Sequence, residues 1–160
     1  MTTIIPLRVH HIPQVIALMD LGAPFIRART HSDYWAYSAL FSSTCPLGEV
    51  NGEVVGSVIA MRSQDNPEEI YVQDVMVHPE HRRTGITAAL LGQVREQAVR
   101  WGCRRLWLTS EPGNAAAHAA WTALGFLNVS GDYEDNGVWV KKDFKGPGKD
   151  RAVYELLLSN

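Results

Sequence analysis

The sequence lacks the features that mark several large classes of protein. Only two of its 160 residues are cysteines, Cys45 and Cys103, and without metal-ligand spacing they predict reduced core thiols in a cytosolic protein. No metal is expected either, because His78 and His81 have no third ligand beside them. No apolar run approaches the ~20 residues that span a membrane, and no charged-then-apolar leader is found. We therefore expect a soluble, cytoplasmic chain with no membrane partner.

An excess of charge of one sign is also missing. Fifteen Lys and Arg residues against 17 Asp and Glu give a formal net charge of −2, so no basic field would attract nucleic acid, and no such partner is expected. The motifs GxxxxGK[ST] and GxGxxG, typical of nucleotide sites, and the GxSxG of many hydrolases are absent. A composition of 46% hydrophobic and 20% charged residues is that of a globular chain, and the length suits one domain, 1–160.

Periodicity and turn residues predict strands and helices that alternate along the chain. Strands are predicted at 3–9, on both sides of Asn51-Gly52, and at 70–77, 104–110 and 151–158. Helices are predicted from Pro13, at 32–41 with Ser32 or Asp33 as N-cap, at 85–101, and at 114–124 with Asn114 as N-cap. A further hairpin is predicted around Asn136-Gly137, between "FLNVSG" and "VWVKKDF". The fold class is α/β or α+β, around one mixed sheet.

The stretch "HPEHRRTGIT", at 78–87, places Arg82, Arg83 and Gly85 where the helix 85–101 should begin. The first N–H groups of a helix have no intrahelical partners, and the helix dipole adds partial positive charge there. Glycine has no Cβ to keep a phosphate from the backbone. The stretch is therefore either a solvated helix cap or a seat for a phosphate-bearing ligand.

Two motifs favour the second explanation. Arg82-x-x-Gly85-x-Thr87 follows "VMVHPEH", and "GNAAAHAAWTALGF" comes after the next predicted strand. Together they resemble the acetyl-CoA-dependent N-acetyltransferases of the GNAT superfamily, whose motifs are Gln/Arg-x-x-Gly-x-Gly/Ala and Asn-x-x-Ala-x-x-x-Tyr-x-x-x-Gly-Phe. The resemblance implies the GNAT fold, a central mixed, mostly antiparallel sheet with helices on both faces, and transfer of an acetyl group to an amine.

The resemblance also implies a set of residues that hold acetyl-CoA, the expected co-substrate. The fourth strand would pair with the pantetheine arm, the basic loop would bind the pyrophosphate, and the last predicted helix would line the thioester. These residues are Val75, Met76, Val77, Arg82, Arg83, Thr84, Gly85, Ile86, Thr87, Asn114, Ala117 and Trp121.

Two positions depart from the family pattern. Thr87 stands where the family has Gly or Ala, and its hydroxyl is expected to donate to the pyrophosphate. Trp121 stands where the family has the tyrosine that protonates the departing thiolate, and an indole is no acid near neutral pH. A thiol of pKa ~8.5 that leaves unprotonated at pH 7 forfeits about 2 kcal/mol. Water or His118, one turn earlier, is the candidate replacement.

The base that deprotonates the acceptor ammonium is open between three candidates. Strict alternation along "IYVQDVMV" turns Tyr71 and Gln73 toward the expected site and Asp74 away, and only a bulge would redirect Asp74. Glu111 lies just past the fifth strand. Asp74, Glu111 and a relay through ordered water remain alternatives.

The acceptor is expected to be a small cationic amine. Asp132, Tyr133 and Glu134 lie in an acidic hairpin that family analogy puts near the acceptor groove, and Tyr34, Tyr37 and Gln73 would add ring-stacking and polar contacts. These residues favour an aminoglycoside antibiotic. A faint likeness of "SDYWAYSALFSSTC" to diaminobutyrate acetyltransferases keeps a diamino acid open. A peptide acceptor, a CoA-binding sensor without catalysis and assembly as a homodimer also remain open.

Overall fold

Residues 1–159 are described by the computed structural model and contain nine strands and four α-helices. The strands are β1 (Thr3–Pro6), β2 (Pro46–Val50), β3 (Glu53–Arg62), β4 (Glu69–Val77), β5 (Arg105–Ser110), β6 (Leu127–Asn128), β7 (Tyr133–Asp135), β8 (Val138–Val140) and β9 (Ala152–Leu157). The helices are α1 (Ile12–Asp20), α2 (His31–Leu40), α3 (Ile86–Arg100) and α4 (Ala115–Ala123).

Seven of these strands form one mixed sheet in the order β1-β2-β3-β4-β5-β9-β6, and β7 and β8 form a separate hairpin. Strands β4 and β5 pair in parallel, while the other neighbours in the sheet pair antiparallel. The predicted fold class is therefore confirmed.

Helices cover both faces of the sheet because the strands carry apolar side chains on both sides. On one face α3 buries Ile86, Leu90, Leu91, Val94 and Ala98. On the other face α1 and α2 form a second core with β2, β3 and β4, in which Met19, Tyr34, Leu47 and Ile59 are fully buried. These two cores hold β4 rigidly from both sides.

Three predicted boundaries were wrong. Strand β1 ends at Pro6, short of the predicted residue 9, and 9–11 form a 3₁₀ turn. Helix α2 is capped by Thr30 rather than Ser32 or Asp33. Thr30 Oγ1 accepts a hydrogen bond from the Asp33 amide at 3.1 Å, and the Asp33 carboxylate accepts one from the Thr30 amide at 3.1 Å. Because this reciprocal box satisfies two amides at once, the helix begins at His31.

The third correction concerns the last hairpin. Its turn is Asn136-Gly137 as predicted, and both residues have positive φ, 51° and 80°, as a type I′ turn requires. That two-residue turn brings Asp135 opposite Val138, so the first strand is β7 and not "FLNVSG". Leu127 and Asn128 instead pair with β9.

The sheet opens between β4 and β5. Their pairing runs from Glu69 with Arg105 to Val72 with Leu108, although β4 continues to Val77 beside β3. The register of β3 on β4 shifts at the same point, from Ala60 with Val72 to Ile59 with Asp74. This shift leaves Gln73 as the extra residue of a β-bulge, which bends β4 away from β5.

Candidate active site

A cleft of ≈ 1130 Å³ occupies the opening between β4 and β5. Its walls are the end of β4, the loop before α3, the end of β5, one face of α4 and the segment 21–29 that follows α1. Ligand sites of this size are usual where neighbouring parallel strands diverge, because backbone groups there are left without strand partners.

The loop before α3 forms one end of the cleft, with His81, Arg82 and Arg83 among its lining residues. Gly85 is the N-cap and has a φ of 81°, in the left-handed region. No side chain caps this helix end, and α3 begins its backbone ladder with Ala89 N–H donating to the Gly85 carbonyl at 3.0 Å. The amides before Ala89 are therefore available to an anion in the cleft.

Thr84 in this loop and Thr87 in the first turn of α3 have different surroundings. The Thr84 hydroxyl donates to the His81 carbonyl at 2.5 Å, so its side chain braces the loop and leaves only its amide for a ligand. Ile86 and Thr87 line the cleft beside Gly85. A Cβ added at Gly85 would meet no protein atom within 4 Å, so this glycine is required for its backbone angle and for the space that it leaves open.

The end of β4 forms the long wall. Val75, Met76 and Val77 line the cleft, and their partners on β3 are Val58, Ser57 and Gly56. Since β3 occupies one edge of β4 and the pairing with β5 has already ended, the second edge of this segment faces the cleft. An extended arm carrying amides is the kind of ligand that pairs with such an edge.

Helix α4 forms the opposite wall. Asn114 caps it, with Oδ1 accepting from the Ala117 amide at 3.1 Å, so its Nδ2 group is the part that can donate to a ligand. Ala117 and Trp121 lie one turn apart and both line the cleft. The Trp121 indole donates from Nε1 to Ser110 Oγ at 2.9 Å. Sequence reasoning missed Ser110, although alternation along β5 puts it on the same face as Leu106 and Leu108.

His118 is not among the residues that line the cleft. Its Nδ1 lies 2.5 Å from the hydroxyl of Tyr154 on β9, and burial raises the pKa of that phenol to about 12. One residue beyond Ala117 is a rotation of about 100° around a helix, which turns His118 from the cleft toward the sheet. The structure therefore places His118 outside the cleft lining and does not support its candidacy, beside water, as the donor of a proton to the thiolate.

The bulge at Gln73 reorients the two residues that follow Val72. Strict alternation would have put Gln73 and Asp74 on opposite faces, but both line the cleft. The Gln73 side chain donates from Nε2 to the Tyr37 hydroxyl at 2.9 Å. The Asp74 carboxylate accepts from Nε of Arg29 at 3.3 Å. Burial raises the pKa of Asp74, and the nearby Arg29 and Lys145 partly oppose that rise.

Comparison with known proteins gives the family. A model described as "Acetyltransferase (GNAT) family" matches residues 16–126. The chain belongs to this family. Its sequence is 31% identical over 84 residues to the L-2,4-diaminobutyric acid acetyltransferase of Nocardia farcinica, a match that covers 52% of this chain and 44% of that one. The chain spans about half the length of the curated relatives it matches.

Two solved structures share the GNAT fold over the whole chain. The diaminobutyrate acetyltransferase EctA of Paenibacillus lautus, in complex with L-2,4-diaminobutyric acid and coenzyme A, has a TM-score of 0.79 and 22% identity over 100% of this chain and 98% of that one. The ribosomal-protein-S18-alanine N-acetyltransferase of Escherichia coli has a TM-score of 0.75 and 20% identity, with 100% and 96% covered. The family and fold implied by the two sequence motifs are confirmed.

The acceptor half of this GNAT cleft differs from the prediction. Tyr34 is fully buried, and its hydroxyl accepts from the Arg29 amide at 3.1 Å. Tyr37 supports Gln73. Neither tyrosine is among the lining residues, so the structure does not support the expectation that their rings stack on an acceptor.

The acidic hairpin is also displaced from the cleft. The Asp132 carboxylate accepts from the Lys142 amide at 2.8 Å, and the Tyr133 hydroxyl donates to Asp150 at 2.5 Å. Glu134 is exposed, and none of the three hairpin residues lines the cleft. Hydrogen bonds therefore tie the hairpin to the segment after β8, and the structure does not support its predicted part in acceptor binding.

Basic side chains occupy the acceptor half instead. Arg27 and Arg29 come from the segment after α1, and Lys145 and Arg151 come from the chain between β8 and β9. The acidic side chains that line the same cleft are Asp74 and Glu111. Sequence reasoning identified the two acids and missed the four basic residues.

No metal or membrane element was found in the described chain. Within 1–159, His, Cys, Asp and Glu side chains form no group of three or more that could hold a metal ion. In the same residues, every helix is too short or too polar to span a bilayer.

Proposed function

We propose that this chain transfers the acetyl group of acetyl-CoA to a primary amine of a small acceptor that also carries a carboxylate, such as a diamino acid. The observation that carries the proposal is the charge of the cleft lining, because Arg27, Arg29, Lys145 and Arg151 line the same cleft as Asp74 and Glu111, and Arg29 contacts Asp74 at 3.3 Å. Such a surface attracts a carboxylate and an ammonium on the same molecule and repels a polycation.

Acetyl-CoA fits the other half of the cleft. The free amides at the start of α3, together with Arg82 and Arg83, suit its pyrophosphate. The open edge of β4 at Val75–Val77 suits the amides of its pantetheine arm, and the Asn114 Nδ2 group suits a carbonyl of that arm. The co-substrate would supply an activated acetyl thioester at the point where these walls meet.

Asp74 is the residue that we assign as the base. An alkylamine with a pKa near 10 is protonated at neutral pH and has no lone pair for attack. Asp74 would take one proton from that ammonium, because it is a buried carboxylate inside the cleft with a pKa above its ordinary value. The nitrogen then forms a bond to the acetyl carbon, the carbon–sulfur bond breaks, the second nitrogen proton passes to solvent, and the departing thiolate takes up a proton from solvent.

Similarity to diaminobutyrate acetyltransferases supports the diamino acid among carboxylated amines. The aminoglycoside hypothesis rested on the acidic hairpin and on Tyr34 and Tyr37, and none of these residues is among those that line the cleft. A peptide is the second candidate, because the fold is shared with a protein N-acetyltransferase. The N-terminal alanine of a peptide also has a primary amine, next to a polar backbone.

The test is release of free thiol from acetyl-CoA with single acceptors. We expect 2,4-diaminobutyrate to be acetylated with a higher kcat/KM than an aminoglycoside or an alanine-terminated peptide, with mass spectrometry showing one added acetyl group. Preference for the aminoglycoside would contradict the carboxylate requirement. Binding of acetyl-CoA without turnover of any amine would favour the sensor.

A further inference from the structure

Arg29 and Asp74 form an ion pair with each other. They are also the two groups that would bind the carboxylate and the ammonium of a carboxylated amine. We infer that Arg29 determines acceptor specificity by exchanging partners: the acceptor's carboxylate draws Arg29 away from Asp74, and Asp74 is thereby freed to take the proton of the acceptor's ammonium. This inference rests on the proposed function, because it assumes that an amine is acetylated in this cleft.

The geometry of the pair allows the exchange. Arg29 Nε contacts Asp74 Oδ2 at 3.3 Å, a single long contact rather than a two-point fork. The Arg29 side chain is 42% exposed and that of Asp74 is 12% exposed, so the arginine can turn within the cleft and the carboxylate cannot leave it. A free carboxylate offers the guanidinium two parallel hydrogen bonds, which are stronger than this single contact.

The position of Arg29 in the chain also allows its side chain to move. It lies in the segment between α1 and α2, outside both helices, and its own amide donates to the buried Tyr34 hydroxyl. The backbone is therefore anchored while the side chain is free at the cleft, an arrangement that suits an exchange of partners without any change of fold.

The other groups that face Asp74 do not substitute for Arg29. Lys145 approaches from the segment before β9, but its Nζ donates to the Tyr71 hydroxyl at 2.5 Å and lies 5.2 Å from that ring. The phenol of Tyr34 and the amide of Gln73 also lie near Asp74, and the phenol of Tyr37 lies near Arg29. Among these, the largest influence that lowers the pKa of Asp74 is the charge of Arg29.

Removal of Arg29 from Asp74 should therefore make the carboxylate a better base. Burial alone raises the pKa of Asp74, and Arg29 opposes it, so loss of the pair moves the pKa further above the ordinary carboxyl value and closer to neutral pH. A base with a pKa closer to the working pH takes a proton more readily from an ammonium. An amine that lacks a carboxylate cannot cause this change and should react slowly.

The kinetic test compares 2,4-diaminobutyrate with its decarboxylated analogue, 1,3-diaminopropane. In the wild type, kcat/KM should favour diaminobutyrate by about tenfold or more, which corresponds to about 1.4 kcal/mol. Arg29→Gln should lower the rate with diaminobutyrate and raise the rate with diaminopropane, whereas Arg29→Lys should retain part of the preference. An equal loss with both acceptors would overturn the inference, because a merely structural arginine would act in that way.

Arg27→Gln is the matched control. It removes the same charge from the same segment of the cleft, but the ion pairs of the described residues leave Arg27 without a contact to Asp74. We expect Arg27→Gln to raise KM for diaminobutyrate without any gain on diaminopropane. A higher rate with diaminopropane in both Arg27→Gln and Arg29→Gln would show a general effect of charge, and it would overturn the inference that Arg29 exchanges partners.

A titration of Asp74 separates this inference from the proposed function. The carboxyl carbon of Asp74 would be followed by NMR in the full chain with CoA bound, so that no acetyl transfer occurs. The pKa should be higher in Arg29→Gln than in the wild type, and higher with diaminobutyrate than with diaminopropane in the wild type alone. Identical pKa values in both proteins would overturn the inference whether or not the enzyme acetylates diaminobutyrate.

Discussion

The indole of Trp121 donates a hydrogen bond to the hydroxyl of Ser110 at 2.9 Å, and this contact joins α4 to the end of β5 across the cleft. The ring also lies 6.1 Å from that of Phe126. Trp121 therefore shapes the wall where the thioester is expected. The family's tyrosine would offer a phenol there, whereas the Trp121 N–H is already directed at Ser110.

Trp121 is predicted to act through packing. Trp121→Phe should retain most of kcat, because a ring remains, and should lower the free energy of unfolding by about 0.5–1.5 kcal/mol for the lost hydrogen bond. Trp121→Ala should weaken acetyl-CoA binding, since a large ring is lost from the wall. If thiolate departure limits the rate, Trp121→Tyr should lower the activation free energy below pH 8 by up to about 2 kcal/mol and so raise kcat. A loss of kcat in Trp121→Phe as large as that in Trp121→Ala would contradict a packing role.

Gly85 and Gly92 should respond oppositely to substitution. Gly85 has a φ of 81°, so Gly85→Ala should cost about 1 kcal/mol of stability, and Gly85→Glu should abolish the thermal shift with acetyl-CoA. In the wild type, acetyl-CoA at about 100 times its dissociation constant should raise the free energy of unfolding by about 2.7 kcal/mol, which the thermal shift reports. Gly92 lies inside α3, and a Cβ added there would meet no atom within 4 Å. Gly92→Ala should therefore raise the free energy of unfolding by about 1 kcal/mol and leave the thermal shift with acetyl-CoA unchanged. Normal acetyl-CoA binding by Gly85→Glu would place the phosphate elsewhere.

His118 is predicted to stabilise the fold without taking part in catalysis. Its removal leaves the hydroxyl of Tyr154, a residue that is 1% exposed, without its partner, so His118→Ala should lower the free energy of unfolding by about 1–3 kcal/mol. The kcat should be unchanged. Adding Tyr154→Phe should recover part of the stability, because the buried hydroxyl is then gone. A large fall in kcat for a normally folded His118→Ala would return the histidine to the mechanism.

Acceptor affinity should depend on Lys145 and not on the hairpin. Glu134→Gln should leave KM for diaminobutyrate unchanged, because Glu134 lies outside the cleft. Lys145→Ala should raise that KM by roughly fivefold, because one exposed charge contributes up to about 1 kcal/mol to binding. Added salt should reduce the difference in KM between wild type and variant. The reverse pattern, with an effect only from Glu134, would restore the hairpin as the acceptor site.

The sequence predicted the fold because strands and helices depend on local patterns, and the resemblance of two short motifs to the GNAT family supplied the residues expected to hold acetyl-CoA. Alternation placed β4 and β5, the apolar stripe placed α3, and Gly85 marked the start of that helix. The acceptor half depends on contacts between distant segments. The bulge at Gln73 is visible only in the register of β3 on β4, and Arg29 and Lys145 meet Asp74 only after the sheet has formed, so no short motif contains them.

The proposed mechanism makes Asp74 the proton acceptor, and the measurement that tests this assignment most directly is kcat/KM for diaminobutyrate against pH. In the wild type it should fall as the pH drops through the pKa of Asp74, which burial raises above the ordinary carboxyl value, because only the ionised carboxylate accepts a proton. Asp74→Asn should lower kcat/KM by about 10²–10⁴ near pH 7, with a smaller loss toward pH ~10, where the amine is already neutral. Glu111→Gln, which removes the other cleft carboxylate, should have a much smaller effect. Wild-type rates in Asp74→Asn near pH 7, with the loss found in Glu111→Gln instead, would contradict the assignment.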